Sequence, residues 1–340
     1  MGDERLRVGV IGLGWHGGGH LANFAANPRA ELTAICDVND QRLAQRAGEH
    51  PGVQTFTDYR ELLAADAVDA VAVVVPDPLH REPAVAACQA SKHVLLEKPM
   101  ALTVEDAEAI AAAAEATDRC VMLNLSNRWM YPFARGRELL EAGAVGEVRY
   151  VFARLSNRID VPTERLRWLE RSHIAHWIGI HRLDIARWWV GREAERVRAV
   201  HRRGVLTAEG YDAPDFYQAT VEFEGGAVLS LEGSWILPRA HPAMVDSRFY
   251  ALCTHGVLDV DRSRSELLTT TADAFDLSTP TTGPALDQPG GFTYRASCHF
   301  VDCALEGRPP LVTAADGLAL TRILCAIVAS CEQDGAVIDV

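Results

Sequence analysis

Residues 6–17 read LRVGVIGLGWHG, and the fold turns on how they are interpreted. The apolar run Leu6–Ile11 has the length of a buried strand and stops at Gly12, Gly14 and Gly17, spaced G-x-G-x-x-G. That spacing after a strand predicts a tight turn that opens a helix. Gly12 permits the turn, Gly14 lets a ligand approach the backbone, and Gly17 lets helix and strand pack closely. A second apolar run, ELTAICD (31–37), ends in Asp37, about 20 residues further on, where the dinucleotide fingerprint places an acid. The helix N-terminus would attract a pyrophosphate. Leu13, Trp15 and His16 fill the loop and join the three glycines as candidate cofactor contacts. Asp37 would accept hydrogen bonds from the adenosine ribose and repel a 2′-phosphate, which favours NAD; nearby Arg42 keeps NADP open.

Working outward, AVDAVAVVVP (67–76), KHVLLE (92–97) and CVMLNL (120–125) read as further strands. Helical patterns at 18–26, 40–48, 58–65, 79–90 and 104–117 separate them, the last with Thr103 and Asp106 as a capping box. Strands with continuous apolar runs alternating with helices imply a parallel sheet covered on both faces. Such sheets bind ligands beyond the carboxyl ends of their strands. HVLLEKPM (93–100) is notable there, because Glu97, Lys98 and Pro99 follow directly on a buried strand. A lysine at that end can polarise or protonate an oxygen on a carbon that gives or takes hydride, and desolvation can bring its pKa toward neutrality. Pro76, Asp77 and His80, after the preceding strand, are expected to line the same crevice beside Glu97.

Composition narrows the class. At 340 residues, two domains are expected, and 48 % apolar residues supply ample core. A net charge of -13 argues against a nucleic-acid partner. Eight scattered cysteines without CxxC spacing read as reduced thiols in a cytoplasmic protein. The charged start lacks a signal peptide's apolar middle, and no uninterrupted apolar run reaches the roughly 18–20 residues that cross a bilayer, so no membrane partner is expected.

Beyond about residue 125 the rhythm changes. Alternating segments at 146–155, 194–203, 215–226, 227–236, 247–261 and 265–271 predict a large, mainly antiparallel open sheet. The fold class is therefore α/β: a doubly wound Rossmann domain over 1–125, then an α/β domain over 126–340. Helices are expected at 172–190, 291–306 and 314–333. The stretch 269–291 reads as irregular, a mobile loop over a cleft. In the first of these helices His181 and Asp184 share a face, as do His173 and His176. The spacing of His173, His176 and His181 matches no standard zinc motif, so no metal is expected.

Several stretches together resemble the Gfo/Idh/MocA oxidoreductases, the family of glucose–fructose oxidoreductase and inositol 2-dehydrogenase. They are VGVIGLGWHGGGHLANF, AICDVND, KHVLLEKP within 73–110, AGAVGEV, GIHRLDIARWW and FVDCALEGRPPLVTAADGLALTRILCAI. The resemblance implies NAD(P)-linked oxidation of a secondary hydroxyl, or reduction of a ketone, in a sugar, polyol or derivative. It also implies a homodimer or homotetramer built through the second domain's sheet. By position, Lys98 matches the family's catalytic lysine, commonly followed by a cis proline, and His181 its acid/base. Asp184 matches the acid that follows, and Arg128 falls in a segment that borders substrate.

One departure stands out. The family pattern before the helix is D-x-G-x-H, and here WIGIH puts Trp177 in the place of the acid. His176 could substitute for the missing charge, or Trp177 could stack on a sugar's apolar face. The departure admits two other readings: bound NAD used transiently for net elimination, epimerisation or glycoside cleavage, and a non-catalytic sensor of NAD and sugar.

Overall fold

The computed structural model describes residues 5–262, 267–270, 275–278 and 290–340. Its first sheet has six parallel strands: β1 (Leu6–Ile11), β2 (Ala30–Cys36), β3 (Gln54–Phe56), β4 (Ala70–Val73), β5 (His93–Leu96) and β6 (Val121–Leu123). Their order is β3-β2-β1-β4-β5-β6, the doubly wound arrangement, with the reversal between β1 and β4. Val8, Val10, Val71, Val94 and Leu95 are fully buried, as expected for strands covered on both faces. The covering helices are α1 (Trp15–Ala25), α2 (Asp40–Glu49), α3 (Tyr59–Ala64), α4 (Arg81–Gln89) and α5 (Val104–Glu115). Thr103 caps α5 by accepting the Asp106 N–H at 3.2 Å, and Asn39 and Asp58 cap α2 and α3 in the same way.

The second sheet is mixed and mostly antiparallel. Its elements in chain order are α6 (Tyr131–Glu141), β7 (Val148–Arg158), α7 (Ile180–Val190), β8 (Ala194–Arg202), the single turn α8 (Val205–Ala208), β9 (Phe216–Phe223), β10 (Val228–Leu237), β11 (Val245–Cys253) and β12 (Val257–Asp261). Separately, β13 (Leu267–Thr270) pairs antiparallel with β14 (Phe275–Ser278). Two long helices, α9 (Gly291–Glu306) and α10 (Ala314–Glu332), and a short β15 (Ile338–Asp339) complete the chain. The seven-stranded order is β12-β11-β7-β10-β9-β8-β15, and only the β7–β10 pair runs parallel. Residues 216–223 alternate strictly, with Tyr217, Ala219, Val221 and Phe223 buried on one face and the others turned outward.

Several expectations change on contact with the structure. The helix α6 is not visible in the sequence pattern, because Pro132 and Gly136 weaken the signal. Pro132 sits in the first turn, where its missing N–H costs nothing, and a Cβ at Gly136 would lie 2.2 Å from the Trp189 ring. The helix expected over 172–190 is a π turn, Ala175–Gly179, leading into α7. Within 269–291, β14 and the end of β13 are paired strands rather than irregular chain; the rest of that stretch, with its expected mobility, lies outside the described residues. The chain also divides less simply than by one cut at residue 125. The described residues through Ser126 form one compact unit together with α9 and the chain up to Leu318, and the remainder forms the other. Within the first unit, α9 lies against α1 and β1, and Arg29 pairs with Asp302 and Glu306. By length and composition α10 is apolar enough to cross a membrane, but half of it is buried inside the protein.

Candidate functional site

In the first unit the glycine turn sits at the point where the strand order reverses. Gly12 has φ of 94°, and a Cβ there would lie 2.5 Å from the Val74 carbonyl oxygen. A Cβ on Gly17 would come within 2.2 Å of the Gly12 carbonyl, so β1 and α1 approach each other only through glycine. Gly14 is different, since its added Cβ would meet nothing within 4 Å. It is the N-cap of α1 without a side-chain cap, so the first-turn N–H groups face open space and suit an anion. Trp15 and His16 are exposed beside them, with ring centroids 4.9 Å apart. The Asp37 carboxylate is buried at the end of β2. It accepts Leu13 N–H and Asn39 N–H, each at 2.8 Å, and pairs with Arg42 at 3.0 Å. A carboxylate has about four acceptor positions, so room remains for a ribose hydroxyl. Turn, uncapped helix end and acid together fit a dinucleotide.

Past β5 the chain places Glu97 and Lys98 in the interior, 8 % and 6 % exposed. Burial by itself would raise the Glu97 carboxyl. A hydrogen bond from His20, with the charges of His20, His16 and Lys98, instead holds it far below the usual carboxylate range. His20 Nε2 lies 2.8 Å from Glu97 Oε1, Asn124 donates to the same oxygen at 2.7 Å, and Lys98 N–H donates to Oε2 at 3.0 Å. Desolvation lowers the Lys98 pKa, opposed by the charges of Asp77 and Glu97. The Lys98–Pro99 peptide bond is cis. Pro76 begins the turn Asp77–Leu79, in which Asp77 is buried. His80, expected to line the crevice, is 1 % exposed. Its Nδ1 lies 2.7 Å from the Pro99 carbonyl and its Nε2 3.0 Å from that of Val75. It therefore ties the Pro99 loop to the β4 loop, and both nitrogens are occupied by protein.

In the second unit the expected substrate residues fall into two groups. Arg128 and Asp184 bind each other: Arg128 Nη2 donates to Asp184 Oδ1 at 2.6 Å and Nε to both oxygens at 3.1 and 3.2 Å. Both are almost fully buried, and the guanidinium lies 5.2 Å over the Trp188 ring. This pair anchors the segment before α6 to α7, one turn beyond His181. The π turn holds the other group. Trp177 is buried edge-on against Trp168 at 5.9 Å. His176 is 4 % exposed, and neither of its nitrogens has a hydrogen-bond partner among the described residues; burial pulls its pKa down to about 4. His181, at the start of α7, is half-buried. Short π segments inside helices recur at functional sites. His173 Nε2 lies 3.2 Å from Nδ1 of another histidine, His201. Sequence reasoning missed His20, Asn124 and His201, whose partners lie far along the chain.

Comparison with known proteins agrees with this geometry. A family profile described as "Oxidoreductase family, NAD-binding Rossmann fold" matches residues 6–125, and one described as "GFO/IDH/MocA C-terminal domain" matches 133–259. The scyllo-inositol 2-dehydrogenase (NAD(+)) of Bacillus subtilis (strain 168) is 26 % identical over 92 % of this chain and 90 % of its own length. The myo-inositol 2-dehydrogenase of Thermotoga maritima is 27 % identical over 92 % of each. A solved levoglucosan dehydrogenase in complex with NADH superposes with a TM-score of 0.85 at 26 % identity, covering 99 % of both chains. The chain belongs to the Gfo/Idh/MocA oxidoreductase family.

Proposed function

We propose that this protein is an NAD-dependent dehydrogenase that oxidises a secondary hydroxyl of a sugar or polyol, or reduces the corresponding ketone. The observation that carries the reading is the buried Lys98 at the carboxyl end of β5, in a parallel sheet whose glycine turn fits a dinucleotide. Gly12, Gly14, Gly17 and Asp37 would hold NAD, whose nicotinamide supplies the hydride acceptor when bound. Lys98 stabilises negative charge developing on the substrate oxygen, and the lowering of its pKa by desolvation suits it to share a proton there. His181 takes the hydroxyl proton on its imidazole. Glu97, His20 and Asn124 hold the backbone that carries Lys98, and His80 braces the loop after it. The Arg128–Asp184 pair fixes α7 under His181. Trp177 and His176 border the sugar, and the tryptophan stands where an acid is common in the family.

The relatives named above are dehydrogenases of inositols and of levoglucosan, which supports a cyclic polyol or pyranose substrate. Buried free thiols at Cys36, Cys88, Cys120, Cys253, Cys303 and Cys331 support a reducing, cytoplasmic setting. The outer face of the large sheet carries exposed Phe216, Leu252 and Val257, which supports self-association through it. Lys98→Met should cut turnover by about 10²–10⁴ while NAD binding, followed by nucleotide fluorescence, stays nearly intact. Turnover that survives the substitution would remove Lys98 from the chemistry.

A further inference from the structure

In the second unit, where the chain enters the π turn, three side chains that the proposed reaction does not use converge. His173 precedes the π turn, His201 lies near the end of β8, and Cys331 sits in the last turn of α10. One candidate ligand atom from each lies within 4.8 Å of the other two. The two rings are stacked with centroids 5.5 Å apart, and His173 Nε2 is 3.2 Å from His201 Nδ1. A tetrahedral zinc-class ion holds nitrogen at about 2.0–2.1 Å and thiolate sulfur at about 2.3 Å, which sets ligand-to-ligand edges of roughly 3.3–3.7 Å. The nitrogen pair is already close to that length, and the sulfur, within 4.8 Å of each nitrogen, has at most about an ångström to close.

We propose that His173, His201 and Cys331 form a binding site for a zinc-class divalent transition metal ion. Two imidazoles and a thiolate select a borderline-soft ion over magnesium or calcium. Glu332 Oε1 lies 3.9 Å from His201 Nε2, so its carboxylate charge faces that N–H while Nδ1 ligates. Burial, with the charges of His176 and His201, lowers His173 to about 3, and burial also lowers His201, so both rings are neutral at physiological pH. Burial raises the Cys331 thiol to about 12, so the ion must displace the thiol proton, which leaves to solvent past the partly exposed His201 and Glu332. Without the ion, Ala175 N–H donates to His173 Nδ1 at 3.2 Å, and the ring proton lies on Nε2, toward His201. Binding moves that proton to Nδ1 and ends this long contact. Solvent completes the fourth position. An ion here would clamp the start of the π turn to β8 and to the end of α10.

The test is titration of the purified full chain with cobalt(II), then zinc. One equivalent of cobalt should give the visible bands of a four-coordinate ion and a thiolate-to-cobalt charge-transfer band. Zinc should displace it and raise the melting temperature. Cys331→Ser should abolish the charge-transfer band, and His201→Ala should weaken binding at least about tenfold, both with NAD binding retained. In the unsubstituted chain, zinc should shield Cys331 from alkylation, read by peptide mass spectrometry. Absence of the charge-transfer band, its survival in Cys331→Ser, or equal Cys331 labelling with and without zinc would each overturn the site and leave a hydrogen-bonded imidazole pair.

Discussion

His20 and His176 lie in different units, and each exposes only 4 % of its surface. His20 Nε2 meets a carboxylate at 2.8 Å, and that carboxylate also receives Asn124 and the Lys98 N–H. Neither nitrogen of His176 meets any described protein group. The first ring is a fixed part of an electrostatic frame around Lys98. The second is held neutral by desolvation and presents hydrogen-bonding capacity that the fold does not use. A buried polar group left unsatisfied costs about 1–3 kcal/mol, so His176 reads as a stability cost accepted for another purpose.

The largest expected effect comes from removing the ring whose Nε2 is engaged; its Nδ1 has no partner among the described residues. His20→Leu leaves Glu97 with one side-chain donor in a dry site and should lower unfolding free energy by about 3–5 kcal/mol in a urea titration. A loss under about 1 kcal/mol would mean that Asn124 and the backbone suffice.

The next effect is acidic. The His176 pKa falls from 6.5 in the unfolded chain to about 4 when folded, so the unfolded state binds a proton first as pH drops. The contribution is fully present above about pH 6.5, declines through the interval, and is lost by about pH 4, by about 3 kcal/mol in total. Denaturation at stepped pH should show this slope in the parent and lack it in His176→Leu. An unchanged slope would place the ring in contact with solvent.

The smallest effect is at neutral pH. There His176→Leu should leave stability unchanged or raise it by up to about 1 kcal/mol, while KM for the sugar rises more than kcat falls. A normal KM would remove His176 from the substrate's surroundings.

The parts legible in advance were those with local causes. The G-x-G-x-x-G turn is dictated by backbone clearance at Gly12 and Gly17, and apolar runs of strand length mark β1, β2, β4 and β5. The short edge strand β3, QTF, has no such run and gave no signal. The site was legible in its residue types but not in their partners. Glu97 and His20 are 77 positions apart, and Arg128 and Asp184 are 56. No periodicity announces such pairs, so the engagement of Arg128 with Asp184, and of His80 with the Pro99 and Val75 carbonyls, was not legible. The turning of His173 toward His201 and Cys331 was hidden for the same reason.

The parallel pairing of β7 with β10 in the second sheet has a consequence for how the π turn and α7 are placed. Two strands that run in the same direction cannot be joined by a hairpin; the chain must travel back to the starting edge before returning. Here the return route contains residues 159–193, the π turn and α7 among them. That excursion buries Ile174, Leu183, Ile185 and Trp189, and its π turn and α7 pack on the sheet, so the crossover fixes where His176, Trp177 and His181 stand. Trp177, 8 % exposed, lies within that crossover.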